Sequence, residues 1–246
     1  MAATKQELIS VLQKKLLQWE GYRPPVLGTQ SLVGLGPLEK AFPNGVLPIS
    51  TVHEFVCANS EQAAASGGLI TGIISQLMQQ GGVCVWIGRA RRLFAPSLAS
   101  FGVAPHQVIF ISLHKDKDTL WVMEEALKCP GITAVVGELG EMDFKQSRRF
   151  QLAVENSRVT GFVLRNTANK LSSTACAARW QVRSLPSTDL NGLPGLGFLR
   201  WQVDLLKVRN GNPGSFIMEW AGDRFEEITT TRKSATLPER EGLKFG

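Results

Sequence analysis

Between Val52 and Gln80 the chain reads VHEFVCANSEQAAASGGLITGIISQLMQQ. Residues 52–56 have the composition of a short buried strand, residues 68–80 that of an apolar helix, and a run of small residues lies between them. Strand, small-residue loop and helix in that order is the layout of a phosphate-binding loop. It commits the chain to an α/β sheet with the loop at the carboxyl end of a strand. A working loop follows G-x-x-x-x-G-K-[ST], because backbone N–H groups cradle the phosphates, the lysine neutralises them and the hydroxyl holds magnesium. Counting forward from the strand, Cys57 comes first, and Gln62, Ala63 and Ala64 stand where Gly, Lys and Ser or Thr belong. Counting back from the helix, Gln62 comes first, and Gly67, Gly68 and Leu69 take those three places. Both registers lack the cation and the hydroxyl, so the stretch reads as a degenerate loop. No cofactor is expected.

The alternation continues downstream. Strand patterns at residues 83–87, 107–113, 132–136 and 159–164 are separated by helical patterns ending near Phe101 and spanning residues 118–127 and 144–156. Such alternation predicts a largely parallel sheet with helices on both faces. After Arg165, residues 178–185, 197–207 and 214–220 alternate apolar and polar with period two. These predict antiparallel strands at one edge, with one face in water and Arg209-Asn210-Gly211-Asn212 as a hairpin turn.

At the amino end, Thr4 and Glu7 form a capping box, and Leu8, Val11, Leu12, Leu16 and Trp19 recur at helical spacing before Pro24-Pro25. Residues 1–30 therefore read as a helix and linker, 31–228 as the core domain, and 229–246, poor in apolar residues, as a flexible tail.

A net charge of +6 and a pI near 9.3 favour a nucleic acid or an acidic protein as partner, though only weakly. Cys57, Cys84, Cys129 and Cys176 form no C-x-x-C pair, and no histidine lies at ligand spacing, so no metal is expected. Cys84, inside an apolar run, reads as a buried free thiol, which suits a reducing cytoplasm. Without a signal-peptide core or an apolar run of about 18 residues, no membrane partner is expected.

Candidate chemistry is sparse. Glu138 follows an apolar strand, where an ATPase places a magnesium-linked or water-activating carboxylate. Without a lysine it has little to act with, and a structural role is the better reading. His53 and Glu54 are adjacent in a strand and point to opposite faces. His106 and His114 have no partner at ligand spacing, and Ser147 lacks a G-x-S-x-G elbow. Arg89, Arg91 and Arg92 follow the second strand at the ligand-binding edge of an α/β sheet, and Lys145, Arg148 and Arg149 share one helix. Either set is a candidate contact to DNA or a partner, with a solvated face as the commoner meaning of such runs. Trp180, Trp201 and Trp220 on the late strands read first as core; an exposed pair among Arg179, Arg183 and Arg200 would instead suggest single-strand stacking or a protein anchor.

Several segments together resemble one family. GPLEKAFPNGVLPISTVHEF is similar to the lead-in to the phosphate loop of RecA-type recombinases. VHEF at residues 52–55, the block VWIG to LFAPSLASFGV at 85–103, LWVMEEAL at 120–127 with AVVGEL at 134–139, and SRRFQLA at 147–153 resemble the ImuA family. That resemblance implies a RecA-like three-layer sandwich with a degenerate P-loop and an accessory role in damage-induced mutagenesis and error-prone repair. It also implies work beside an ImuB-like inactive Y-family polymerase and a DnaE-type error-prone polymerase, with RecA and single-stranded DNA as further candidates. The expectation is a non-catalytic adaptor. Alternatives are a SulA-like division inhibitor and a weak DNA-dependent ATPase in which an outside arginine replaces the lost lysine.

Overall fold

Strand β1, Val52–Cys57, is buried along its whole length and lies inside the sheet, with β5 on one side and β6 on the other. The structure, a computed structural model, describes residues 33–89, 95–166, 172–187 and 197–227. Among these, β2 (Cys84–Gly88), β3 (Val108–Ser112), β4 (Ala134–Leu139), β5 (Thr160–Asn166), β6 (Ala178–Leu185), β7 (Leu199–Val208), β8 (Gly214–Ala221) and β9 (Arg224–Glu227) complete one sheet. Its order is β3-β2-β4-β5-β1-β6-β7-β8-β9. The amino-terminal helix and linker, Arg91, Arg92 and the tail lie outside the described residues.

Every pairing among β1 to β6 is parallel, and β7, β8 and β9 are antiparallel additions. The predicted antiparallel edge therefore begins one strand later, because β6 runs parallel to β1. Period-two alternation reports which face is wet and carries no information about strand direction. Strand β9 was not anticipated from sequence. A two-residue turn with Gly222 at φ 77° reverses the chain after β8 and returns Phe225 to the core.

Helices cover both faces of the parallel half, consistent with a Rossmann-like or RecA-like sandwich. On one face lies α1, Ser60–Leu77, whose Leu69, Ile70 and Ile73 are fully buried against Phe55, Val136, Phe162 and Trp180. Each of those three side chains contributes about 1.5–3 kcal/mol by leaving water. On the other lie α2 (Asp116–Leu127) and α3 (Phe144–Ser157), packing Met123, Leu127, Phe150 and Val154 onto Val52, Val135 and Val163. Helix α3 starts at a capping box: Asp143 accepts from the Gln146 N–H at 2.7 Å, and Gln146 accepts from the Asp143 N–H at 2.8 Å. No helix among the described residues is long and apolar enough to cross a membrane.

Helix α1 begins eight residues before the predicted start at Gly68. Asn59 caps it, and only Ala58 and Asn59 separate it from β1. The stretch expected as a loop is therefore two turns of helix. Its alanines favour helix intrinsically, and the glycines beyond them are held helical by packing.

Candidate functional site at the strand-to-helix junction

A phosphate site at a helix start depends on unsatisfied backbone N–H groups. At this junction one of them, that of Gln62, is occupied by a side chain, and the Ala58 N–H just before the cap is occupied by another. Asn59 Oδ1 accepts from the Gln62 N–H at 2.8 Å, and Gln62 Oε1 accepts from the Ala58 N–H at 3.0 Å. Of the residues assigned to the degenerate loop, Gln62, Gly67, Gly68 and Leu69 all lie within α1, and Cys57 closes β1. Leu69 is fully buried in the core. Gly68 makes room for aromatic rings, since a β-carbon there would lie 3.2 Å from Trp201 Cζ2 and 3.5 Å from Phe101, whereas one on Gly67 would rest in ordinary contact, 4.0 Å from Trp86. One turn later, a β-carbon on Gly72 would stand 2.5 Å from Phe225, an impossible contact.

Beside this helix is a cavity of about 700 Å³, walled by the first half of α1, the carboxyl ends of β1, β2, β4 and β5, and Phe101, Leu199 and Trp201. Glu138 on β4 is the sole charged residue among the described residues that line it. Its Oε1 accepts from the Trp86 indole at 3.1 Å, while Oε2 is buried with no hydrogen-bond partner among the described residues. Gly88 leaves the room: a β-carbon there would stand 2.6 Å from the Glu138 carboxyl carbon.

The Cys57 thiol donates to Ser66 Oγ at 3.5 Å, and burial raises its pKa. Burial pushes Cys84 and Cys176 up to about 12. Raised pKa values make these three poor nucleophiles.

His53 and Glu54 do occupy opposite faces. His53 is buried against Phe162 and Trp180. The Trp180 indole donates to Nδ1 at 3.3 Å, so Nε2 carries the proton and donates to the Pro48 carbonyl at 2.8 Å. Desolvation lowers its pKa to about 4, which leaves it a neutral core residue. Glu54, also fully buried, accepts from Arg165 at 2.6 Å, Thr174 at 2.7 Å and Arg179 Nε at 2.9 Å. This ionic group spans β5, β1 and β6. Sequence reasoning missed it. The available signal was one acid and two arginines inside otherwise apolar strands, but their adjacency needed the strand order.

The candidate contact residues are dispersed and mostly paired. Arg89 faces Asp116 at 3.6 Å, with both side chains exposed. On α3, Arg149 meets Glu124 at 2.6 Å and Arg148 meets Glu155 at 3.8 Å, while Lys145 is exposed without an ion pair among the described residues. Trp180, Trp201 and Trp220 are all buried, so none presents a ring at the outer surface for base stacking. The arginines near them pair instead, Arg183 with Asp204 at 2.5 Å and Arg200 with Glu219 at 3.4 Å. Ser147, also buried, is structural: it donates to the Phe144 carbonyl and accepts from the Ala175 N–H. His106 and His114 are exposed. Among the described residues no group of three or more His, Cys, Asp or Glu could hold a metal ion.

No family model matches the sequence. Two curated proteins named Protein ImuA are similar to it, one from Caulobacter vibrioides strain NA1000 / CB15N and one from Caulobacter vibrioides strain ATCC 19089 / CIP 103742 / CB 15. Each is 32% identical, over 74% of this chain and 80% of its own length.

Proposed function

The chain belongs to the ImuA family, and from that premise we propose that it is a non-catalytic accessory protein of damage-induced, error-prone translesion DNA synthesis. It acts as an adaptor that joins an ImuB-like inactive Y-family polymerase to a DnaE-type error-prone polymerase in the cytoplasm. The observation that carries the non-catalytic part is the junction between β1 and α1. Its Gln62 and Ala58 N–H groups are engaged by the Asn59 and Gln62 side chains, and the described lining of the cavity beside it holds no cation to meet a triphosphate. Nucleotide hydrolysis on such a surface lacks both positioning and charge stabilisation.

A fold relieved of nucleotide chemistry is free to serve as a binding platform. Function then resides in surfaces grafted on the scaffold. The paired state of Arg148, Arg149, Arg183 and Arg200 favours protein partners over a phosphate backbone, since an arginine held by a carboxylate must lose that partner to grip a phosphate.

The test is co-purification of the tagged full-length chain from a host that encodes both polymerase-like proteins, grown with and without DNA damage. Recovery of the ImuB-like protein in stoichiometric amount is expected. Calorimetry with ATP and magnesium is expected to show no binding below millimolar concentration. Failure to recover either polymerase-like protein, or DNA-stimulated ATP turnover, would sink the reading.

A further inference from the structure

We propose that the cavity beside the first half of α1 is a binding site for a guanidinium group on an aliphatic stem, the chemistry of an arginine side chain. This goes beyond the adaptor reading and does not depend on it. At about 700 Å³ the cavity falls in the range of small-ligand sites. Its described lining carries one charge, the Glu138 carboxylate, and no cation. A phosphate or carboxylate ligand would meet repulsion there, and a neutral apolar ligand would leave the buried Oε2 unsatisfied.

The carboxylate is already positioned. Trp86 donates one hydrogen bond to Oε1, and Gly88 leaves the space the group occupies. Oε2 keeps both acceptor sites, and Oε1 keeps one, so a planar fork of N–H donors can bind along the carboxylate edge. Trp86, Phe101 and Trp201 also line the cavity, and aromatic rings favour a flat, weakly hydrated cation beside them. A compact ammonium is more strongly hydrated and gains less from such a lining. The small side chains of Ala63, Ala64 and Gly67 leave a smooth wall for the aliphatic stem.

The experiment follows indole N–H resonances of the full-length ¹⁵N-tryptophan-labelled protein, with the Trp86 signal identified by Trp86→Phe. The probes are agmatine, the peptide N-acetyl-Gly-Arg-Gly-amide, and the same peptide with citrulline, a neutral isostere, in place of arginine. Saturable shifts of the Trp86 signal are expected with agmatine and the arginine peptide, and at least about tenfold weaker binding with citrulline, the loss of one charge-assisted pair. Glu138→Gln, which keeps the acceptor for Trp86, should weaken both cations by a similar factor. Ala64→Phe, a change at an exposed position on the wall, should block entry without touching the charge.

Tighter binding of the peptide than of agmatine assigns the site to a partner's arginine; the reverse assigns it to a free guanidinium compound. No saturable shift with either cation overturns the proposal. So does equal binding of citrulline, or unchanged affinity in both variants.

Discussion

A β-carbon on Gly68 would lie 3.2 Å from Cζ2 of Trp201, so the position that one register gives to the lysine of a phosphate loop is a packing site on a helix. Gly68→Lys would therefore not recreate a nucleotide site. Overpacking against Trp201 and Phe101 costs about 1–3 kcal/mol, which exceeds the roughly 0.5–1 kcal/mol gained by removing a glycine from a helix interior. The expected outcome is a lower urea midpoint and no ATP binding by calorimetry. Micromolar ATP binding by this variant would show that α1 unwinds into a loop.

Glu54 on β1 carries a different burden. It balances two arginines in a buried layer, and Glu54→Gln would leave Arg165 and Arg179 facing a neutral amide. Removing one partner of a buried ion pair costs about 3–5 kcal/mol, a large share of a domain's net stability. Asp204→Asn, which breaks the more exposed pair with Arg183, should cost no more than about 1 kcal/mol. Equilibrium urea denaturation of both variants checks the contrast. Equal losses would mean that the Glu54 group is solvated in solution.

How much of this was legible beforehand depends on which physical signal each feature leaves in the sequence. Apolar runs such as VCVWI and AVV locate strands, and their alternation with helical periods gives the layered parallel sheet. The direction of β6 left no such mark, because Trp180 and Val182 would alternate in the same way in either orientation. The helix start differs from the expected one because Gly67 and Gly68 carry weak helix propensity, and the rings packed beside Gly68, those of Trp201 and Phe101, come from distant elements. For the same reason the acceptor role of Glu138 toward Trp86 was invisible, whereas the absence of a lysine from residues 57–69 could be read directly.

The basic face of α3 is expected to contribute little to DNA binding. Arg149 is held at 2.6 Å by Glu124, which also pairs with Lys128, and Arg148 lies 3.8 Å from Glu155. Of Lys145, Arg148 and Arg149, Lys145 alone has no ion pair among the described residues. Replacing Lys145, Arg148 and Arg149 together by alanine should change the affinity for a single-stranded oligonucleotide by less than about threefold at physiological salt. A face gripping three phosphates would lose far more, together with about two units of the slope of log K against log salt for a single strand. Fluorescence anisotropy across a salt series separates the two outcomes.

His53 makes stability depend on pH in a defined window. Burial lowers its pKa from 6.5 to about 4, so in the folded protein it remains neutral where the unfolded chain takes up a proton. The unfolded state then binds more protons, and stability must fall with falling pH. The contribution is fully present above pH 6.5, declines below it and is lost as pH drops through about 4. Lowering the pH from about 7 to about 5 should cost about 2 kcal/mol through this residue alone, from 1.36 kcal/mol per pKa unit. Buried carboxylates such as Glu54 add their own acid sensitivity, so the residue must be isolated by difference. His53→Gln keeps an acceptor for the Trp180 indole and a donor for the Pro48 carbonyl but does not titrate. Its urea midpoint should be lower at pH 7 because Gln lacks the ring that packs on Phe162. Between pH 7 and pH 5, however, it should lose about 2 kcal/mol less than the parent chain. Parallel pH profiles for the two proteins would mean that His53 is protonated or solvent-accessible in the folded state. That result would also break the assignment in which the Trp180 indole donates to His53 Nδ1.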